Sequence, residues 1–166
     1  MAKNNLLLMA KYNIWATEKL LLALQDLDEA QIRADCGLYF GSIFATLNHM
    51  LLAEHYLWYP RCAEGKSQAY RLDHIIETDL SRLYQSFAQN AQRWPELIQA
   101  TPVEQLDGKL NYTSTQGQAL SLPYAAILQH VFNHATHHRG QITAAITAMG
   151  GVCPELDLVY MLLEDA

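Results

Sequence analysis

Cysteine is scarce in this chain, and long apolar runs are missing. Its three cysteines (Cys36, Cys62 and Cys153) stand far apart in 166 residues, odd in number and without CxxC spacing. That excludes a disulfide framework and leaves each as a small buried hydrophobe in expectation. No stretch reaches the ~18 consecutive apolar residues of a membrane span. The apolar stretch at residues 6–10 is too short for a secretory leader. Positive charge is in deficit as well: 11 Lys and Arg face 17 Asp and Glu, a formal net charge of −6. Without a basic run the electrostatic footprint of a nucleic-acid binder is missing. A soluble, cytoplasmic protein with neither nucleic-acid nor membrane partners is expected. Several catalytic signatures are absent too. There is no ExxH, which disfavours a carboxylate-rich di-iron bundle, and no HExxH, GxSxG, P-loop or GxGxxG.

What remains is a helical protein. Hydrophobic residues make up 51% and charged residues 17%, enough apolar material for one core, and no linker or repeat divides residues 1–166. Leu6, Ala10, Ile14, Thr17, Leu21 and Leu24 step at helical spacing over residues 5–26. A second stripe runs through Ile43, Leu47, Met50, Glu54 and Leu57, with Ser42 as N-cap and Pro60 ending or kinking the helix. A third comprises Ile76, Leu80, Leu83, Phe87, Ala91 and Trp94, closed or bent by Pro95 at about Trp94. The fourth begins at Leu122 and Pro123 and runs to Gly150 and Gly151. Between the third and fourth, residues 106–122 read as a small β-hairpin turning near Gln116 and Gly117. Leu156, Val159, Tyr160 and Leu163 suit a short last helix. The expected fold is all-α, a four-helix bundle with a hairpin-like insertion.

Histidine carries the chemistry. Four of the seven lie in HVFNHATHHRGQ: His130, His134, His137 and His138. Residues at i and i+4 on a helix sit about 40° apart, so both imidazoles can reach one ion. His134 and His138 share a sector with Ile127, Val131, Gln141, Ala145 and Met149, while Arg139 points the opposite way. Spacing alone does not separate this pair from His130 and His134. On the second helix His49 shares a face with Ala45, Leu52, Ala53 and Tyr56, small enough around the ring to admit an ion and an incoming ligand. His55 reads as a surface or edge residue, His74 as solvated, and His137 as an edge or supporting residue. Two ligands from one helix and one from another would leave coordination positions open, the arrangement of a catalytic metal.

These segments resemble the DinB-like, or YfiT-like, family of four-helix-bundle metalloenzymes. KYNIWATEKLLLAL is similar to the family's first helix, SIFATLNHMLLAEHYLW to its second, NHATHHRGQI to its most recognisable segment, and PELDLVYMLLE to its close. The resemblance implies His49, His134 and His138 as ligands of a divalent metal (zinc, nickel or iron) and leaves His130 outside. It also implies a thiol S-transferase that activates a low-molecular-weight thiol, such as bacillithiol or mycothiol, towards an electrophilic small molecule. A metal-dependent hydrolase and a non-catalytic metal-binding stress-response protein are the alternatives. Gln141, one turn beyond His138, would orient a ligand imidazole or water. Tyr12, Trp15, Tyr56 and Trp58 would wall the pocket, Glu54 would face away from the site, and the chain would form a homodimer.

Overall fold

The first stripe folds as α1 (Ala2–Ala23), followed by one 3-10 turn at Leu24–Asp26. In the computed structural model, which describes residues 2–164 and 166, its buried face comprises Leu6, Ala10, Asn13, Ala16, Thr17 and Leu20 among others. A short α2 (Glu29–Arg33), closed by an Asp28–Gln31 capping box, leads to the second long helix. There Ser42 is the N-cap the sequence indicates: its hydroxyl accepts the Ala45 N–H at 3.1 Å and starts α3 (Ile43–Leu51).

Pro60 does not end this helix. After α3 the chain widens into a π-helical segment, Leu52–Trp58, in which the Tyr59 N–H reaches back to the Glu54 carbonyl, before tightening into α4 (Tyr59–Glu64). Pro60 occupies the first turn of α4, where a missing N–H costs little. Gly65, in the left-handed region at φ 65°, terminates α4.

The third stripe is two helices. Asp79 caps α5 (Leu80–Ala91), the chain bends at Gln92, and α6 (Arg93–Ala100) carries on with Pro95 inside its first turn. Pro95 therefore does not close the helix, whose interruption falls three residues earlier at Gln92, and Ile76 lies in the loop before α5. After α7 (Val103–Leu106), strands β1 (Lys109–Thr113) and β2 (Ala119–Pro123) pair antiparallel with Leu110 opposite Leu122 and Tyr112 opposite Leu120. The turn closes where the Gly117 N–H meets the Ser114 carbonyl at 3.0 Å, close to the expected position.

The fourth long helix, α8 (Tyr124–Ala148), starts directly after β2, with Pro123 at its N-cap. It ends as Gly150 and Gly151 dictate: their N–H groups return to the carbonyls of Thr147 at 3.0 Å and Ile146 at 2.9 Å, a Schellman closure. A last helix, α9 (Leu158–Glu164), lies across α1. The bundle is thus α1, α3 with α4, α5 with α6, and α8. Helix α1 packs on α5, α6 and α8, and α3 packs on α5 and α8. One apolar cluster gathers Leu20, Leu24, Ile43, Leu47, Met50, Phe87 and Ile146, and a second gathers Leu6, Trp94, Ile98, Tyr124, Leu128 and Phe132. Along α1, the buried polar residues Asn13 and Thr17 fall between the contributions to these two clusters.

Candidate metal centre

Helix α8 packs on α1 and on α3, so its two sides face different neighbours. On the side towards α3, His134 and His138 meet His49. The Nε2 of His134 lies 3.3 Å from that of His49 and 3.2 Å from that of His138, and one donor nitrogen from each ring fits within 4.8 Å of the others. The sequence's open choice is thereby resolved, since His130 is exposed, packs on Trp58 and stands outside the cluster.

The outer ring nitrogens settle the tautomers. The Nδ1–H of His49 donates to the Leu72 carbonyl at 2.8 Å, and that of His138 donates to Gln141 Oε1 at 2.7 Å. The Gln141 amide is oriented in turn by its Nε2–H donating to His137 Nε2 at 3.2 Å. His49 and His138 therefore both turn Nε2 lone pairs inward. Burial lowers the pKa of all three rings, to about 3 for His134, where the other imidazoles add repulsion, and to about 4 for His138. All three are neutral near pH 7, the form that ligates metal.

A divalent ion fits this arrangement. His134 Nε2 faces two lone pairs at nearly equal distance and has at most one proton to offer, while its Nδ1 is buried without a partner. An ion at the point of convergence would replace that repulsion with three coordinate bonds. Tetrahedral coordination at ~2.0–2.1 Å places neighbouring nitrogens about 3.3 Å apart, the spacing His134 makes with each of its two partners. Asn48 supports the centre by tying the following loop to α3: its Oδ1 accepts the N–H groups of Ile76 and Glu77 at 2.9 Å, and its Nδ2–H donates to the Glu77 carbonyl. This fixes the loop that carries the Leu72 carbonyl. Phe40 stacks on His49 with ring centroids 4.0 Å apart.

The expected aromatic wall lies elsewhere: Tyr12 and Trp15 bond to Leu156 and Glu164 near α9, Tyr56 packs on Tyr70, and Trp58 packs on Tyr112 and His130, while the ring stacked on His49 is Phe40. His55 is buried, not at the surface, because the π-helical segment turns it inward between Phe87 and Trp94. Desolvation holds its pKa down at about 3. Arg139 does point away from the histidine pair, but that direction leads into α1. There its Nη1–H donates to Asn13 Oδ1 at 2.6 Å, and Asn13 Nδ2–H donates to Glu54 Oε2 at 3.0 Å. Glu54 is outside the histidine cluster, as expected, yet fully buried. Phe40 and Asn48 have no sequence signal beyond adjacency to the second helix and its LNH segment, and Leu72, in a distant loop, has none.

Of the cysteines, only Cys62 is buried. Desolvation pushes its thiol up to about 12, while Cys36 is half-buried and Cys153 exposed. No helix among the described residues is long and apolar enough to cross a membrane.

Fold and site together define a four-helix bundle with a three-histidine centre suited to a divalent metal. The chain belongs to the DinB family, whose profile matches residues 1–164. It is 26% identical over 147 residues to Protein DinB of Bacillus subtilis (strain 168), covering 84% of this chain and 83% of that one. Its fold is also that of YfiT from Bacillus subtilis, described as a probable metal-dependent hydrolase with an unusual four-helix bundle topology. The two superpose with a TM-score of 0.64 at 14% identity, over 90% of this chain and 89% of YfiT.

Proposed function

We propose that the chain is a metal-dependent enzyme in which His49, His134 and His138 hold one divalent ion (zinc, nickel or iron), and that it transfers a low-molecular-weight thiol to an electrophilic small molecule. The observation that carries the reading is the inward convergence of three neutral imidazole nitrogens on one point. A divalent ion held there supplies Lewis acidity, lowering the pKa of a thiol or water placed against it. The Leu72 carbonyl and Gln141 hold two rings in the ligating tautomer. The buried Cys62 thiol, pushed up to about 12, does not compete as nucleophile. Hydrolysis is the second reading, favoured by the description of YfiT. Asp73, in a cavity wall with Phe40 and Leu72, is engaged by Arg71. A homodimer belongs to the same proposal, with exposed Leu22, Val152 and Leu163 along the groove between α1 and α9.

Metal content tests the centre: about one divalent ion per wild-type chain and none in His134→Ala is the expected outcome. A wild type that stays empty after exposure to zinc, nickel and iron refutes it. With the cobalt form, a thiol should alter the visible spectrum and be consumed with a nitroaryl chloride. Turnover of esters or amides without any thiol would establish hydrolysis in its place, and occupancy without either turnover would leave a metal-binding stress-response role.

A further inference from the structure

Two large apolar side chains beside the histidine centre stand in water. Tyr39 is 86% exposed and Leu72 48%. Both belong to the wall of a cavity of 440 Å³, completed by Phe40, Ala45 and Asp73. Three of these wall residues also adjoin the histidines. Phe40 stacks on His49, Leu72 supplies the carbonyl that accepts the His49 Nδ1–H, and Ala45 lies one turn before His49 on α3. The cavity therefore adjoins the centre through Phe40 and Leu72, with none of the three histidines in its own wall.

Its walls are held in place before any ligand arrives. Tyr39 and Phe40 sit in a tight turn where the Gly41 N–H meets the Leu38 carbonyl at 2.8 Å and the Cys36 N–H meets the Gly41 carbonyl at 2.8 Å. Gly41 closes that turn in the left-handed region at φ 85°, and the two rings meet edge to face at 4.9 Å. The opposite wall is the loop that Asn48 ties down. A preformed cavity loses little ordering entropy on binding, and this one falls within the ~300–1,000 Å³ typical of small-molecule sites.

The lining also selects by chemistry. The one charged wall residue, Asp73, is paired with Arg71, whose Nε and Nη2 reach its two oxygens at 3.0 and 2.8 Å, and both side chains remain exposed at the rim. The remaining side chains are two aromatic rings, a leucine and an alanine. Such walls suit an uncharged planar group, which aromatic edges and faces hold in offset or edge-on contact.

We propose that the cavity of Tyr39, Phe40, Ala45 and Leu72 is the subsite for an aryl group of an uncharged electrophilic substrate, seated beside the histidine centre. This rests on the metal reading above. The test separates the two by using probes that share a chelating head: acetohydroxamate and benzohydroxamate, titrated by calorimetry into the zinc-loaded full chain. Benzohydroxamate should bind about tenfold tighter or more, about 1.4 kcal/mol. The variant Tyr39→Ala should bring that ratio towards one while still binding acetohydroxamate as the wild type does. It trims one exposed side chain, whose ring meets Phe40 and none of the histidines. Equal affinities in the wild type, or a phenyl preference that survives Tyr39→Ala in full, overturn the subsite and leave the metal centre standing. A zinc-loaded chain that binds neither probe has no open coordination position, which overturns the catalytic reading and the subsite with it. A chain that takes up no zinc removes the metal centre itself.

Discussion

Replacing Glu54 by Gln tests which force dominates the polar layer inside the bundle. Glu54 is 1% exposed and faces Asn13 from α1, Arg139 from α8 through that asparagine, and His55 at 3.7 Å on its own segment. Desolvation raises its pKa from 4.5 to about 7, against the opposing pull of the Arg139 charge and the Asn13 hydrogen bond. The folded chain thus keeps a proton on Glu54 that the unfolded chain has released between pH 4.5 and about 7. A native state that binds the extra proton loses stability as pH rises. Each pH unit across that window is worth about 1.4 kcal/mol, so the carboxyl group costs about 3 kcal/mol by neutral pH. The neighbouring His55, held down at about 3, has the opposite slope below its ordinary pKa, and His134 and His138 share it. The wild-type curve alone therefore mixes these contributions. The difference between Glu54→Gln and wild type isolates Glu54. Measured by urea unfolding of chelator-treated protein, it should move in favour of the variant by about 3 kcal/mol from pH 4 to pH 8, most steeply between pH 5 and 7. A difference moving the other way would mean that the Arg139 charge outweighs desolvation and that Glu54 is ionised well below neutral pH.

Removing the amide that orients His138, in Gln141→Ala, should weaken metal affinity by about 10- to 100-fold while thermal stability of the metal-free chain changes little; a chelator competition reads the first and calorimetry the second. Gly150→Ala should cost about 1–2 kcal/mol, lowering the melting temperature by a few degrees. The cause is conformational, because a Cβ there meets nothing within 4 Å while φ is +79°. A disulfide reagent at pH 8 should modify the exposed Cys153 first and leave Cys62 unmodified until the chain is denatured, as its burial and its pKa of about 12 require; early reaction at Cys62 would refute its placement in the core.

Much of this architecture is legible in the residues themselves. The stripe from Leu6 to Leu24, the Ser42 cap, the hairpin turn at Gly117 and the glycine stop after α8 all express local rules of periodicity and capping, and the structure follows each. The histidine candidates on α8 and His49 on α3 follow from spacing and from which face is apolar, whereas the choice of His138 over His130 comes from the family resemblance. What escapes such rules depends on the helix ceasing to be regular or on partners far away in sequence. A wheel drawn at about 100° per residue misplaces His55, because residues after Leu51 rotate by less in the wider π-helical turns. Arg139 and Glu54 read from the sequence only as facing away from the histidines, and their burial shows once α1 supplies Asn13, which meets both, from more than a hundred residues before Arg139. Phe40 and Leu72 come from loops, whose approach to His49 no periodicity encodes.

The widened stretch between Leu51 and Tyr59 divides one continuous rod into two lengths with separate angular phase. The residues before it orient His49; those after it orient Arg61, clasped between Trp58 and Tyr112 against the hairpin, and Cys62 in the second apolar cluster. Because a π turn holds one residue more than an α turn would, the stretch can absorb a single-residue deletion by tightening. The histidine end and the hairpin end of the rod are therefore free to diverge independently, and lengths that differ by one residue within this stretch are compatible with an intact centre.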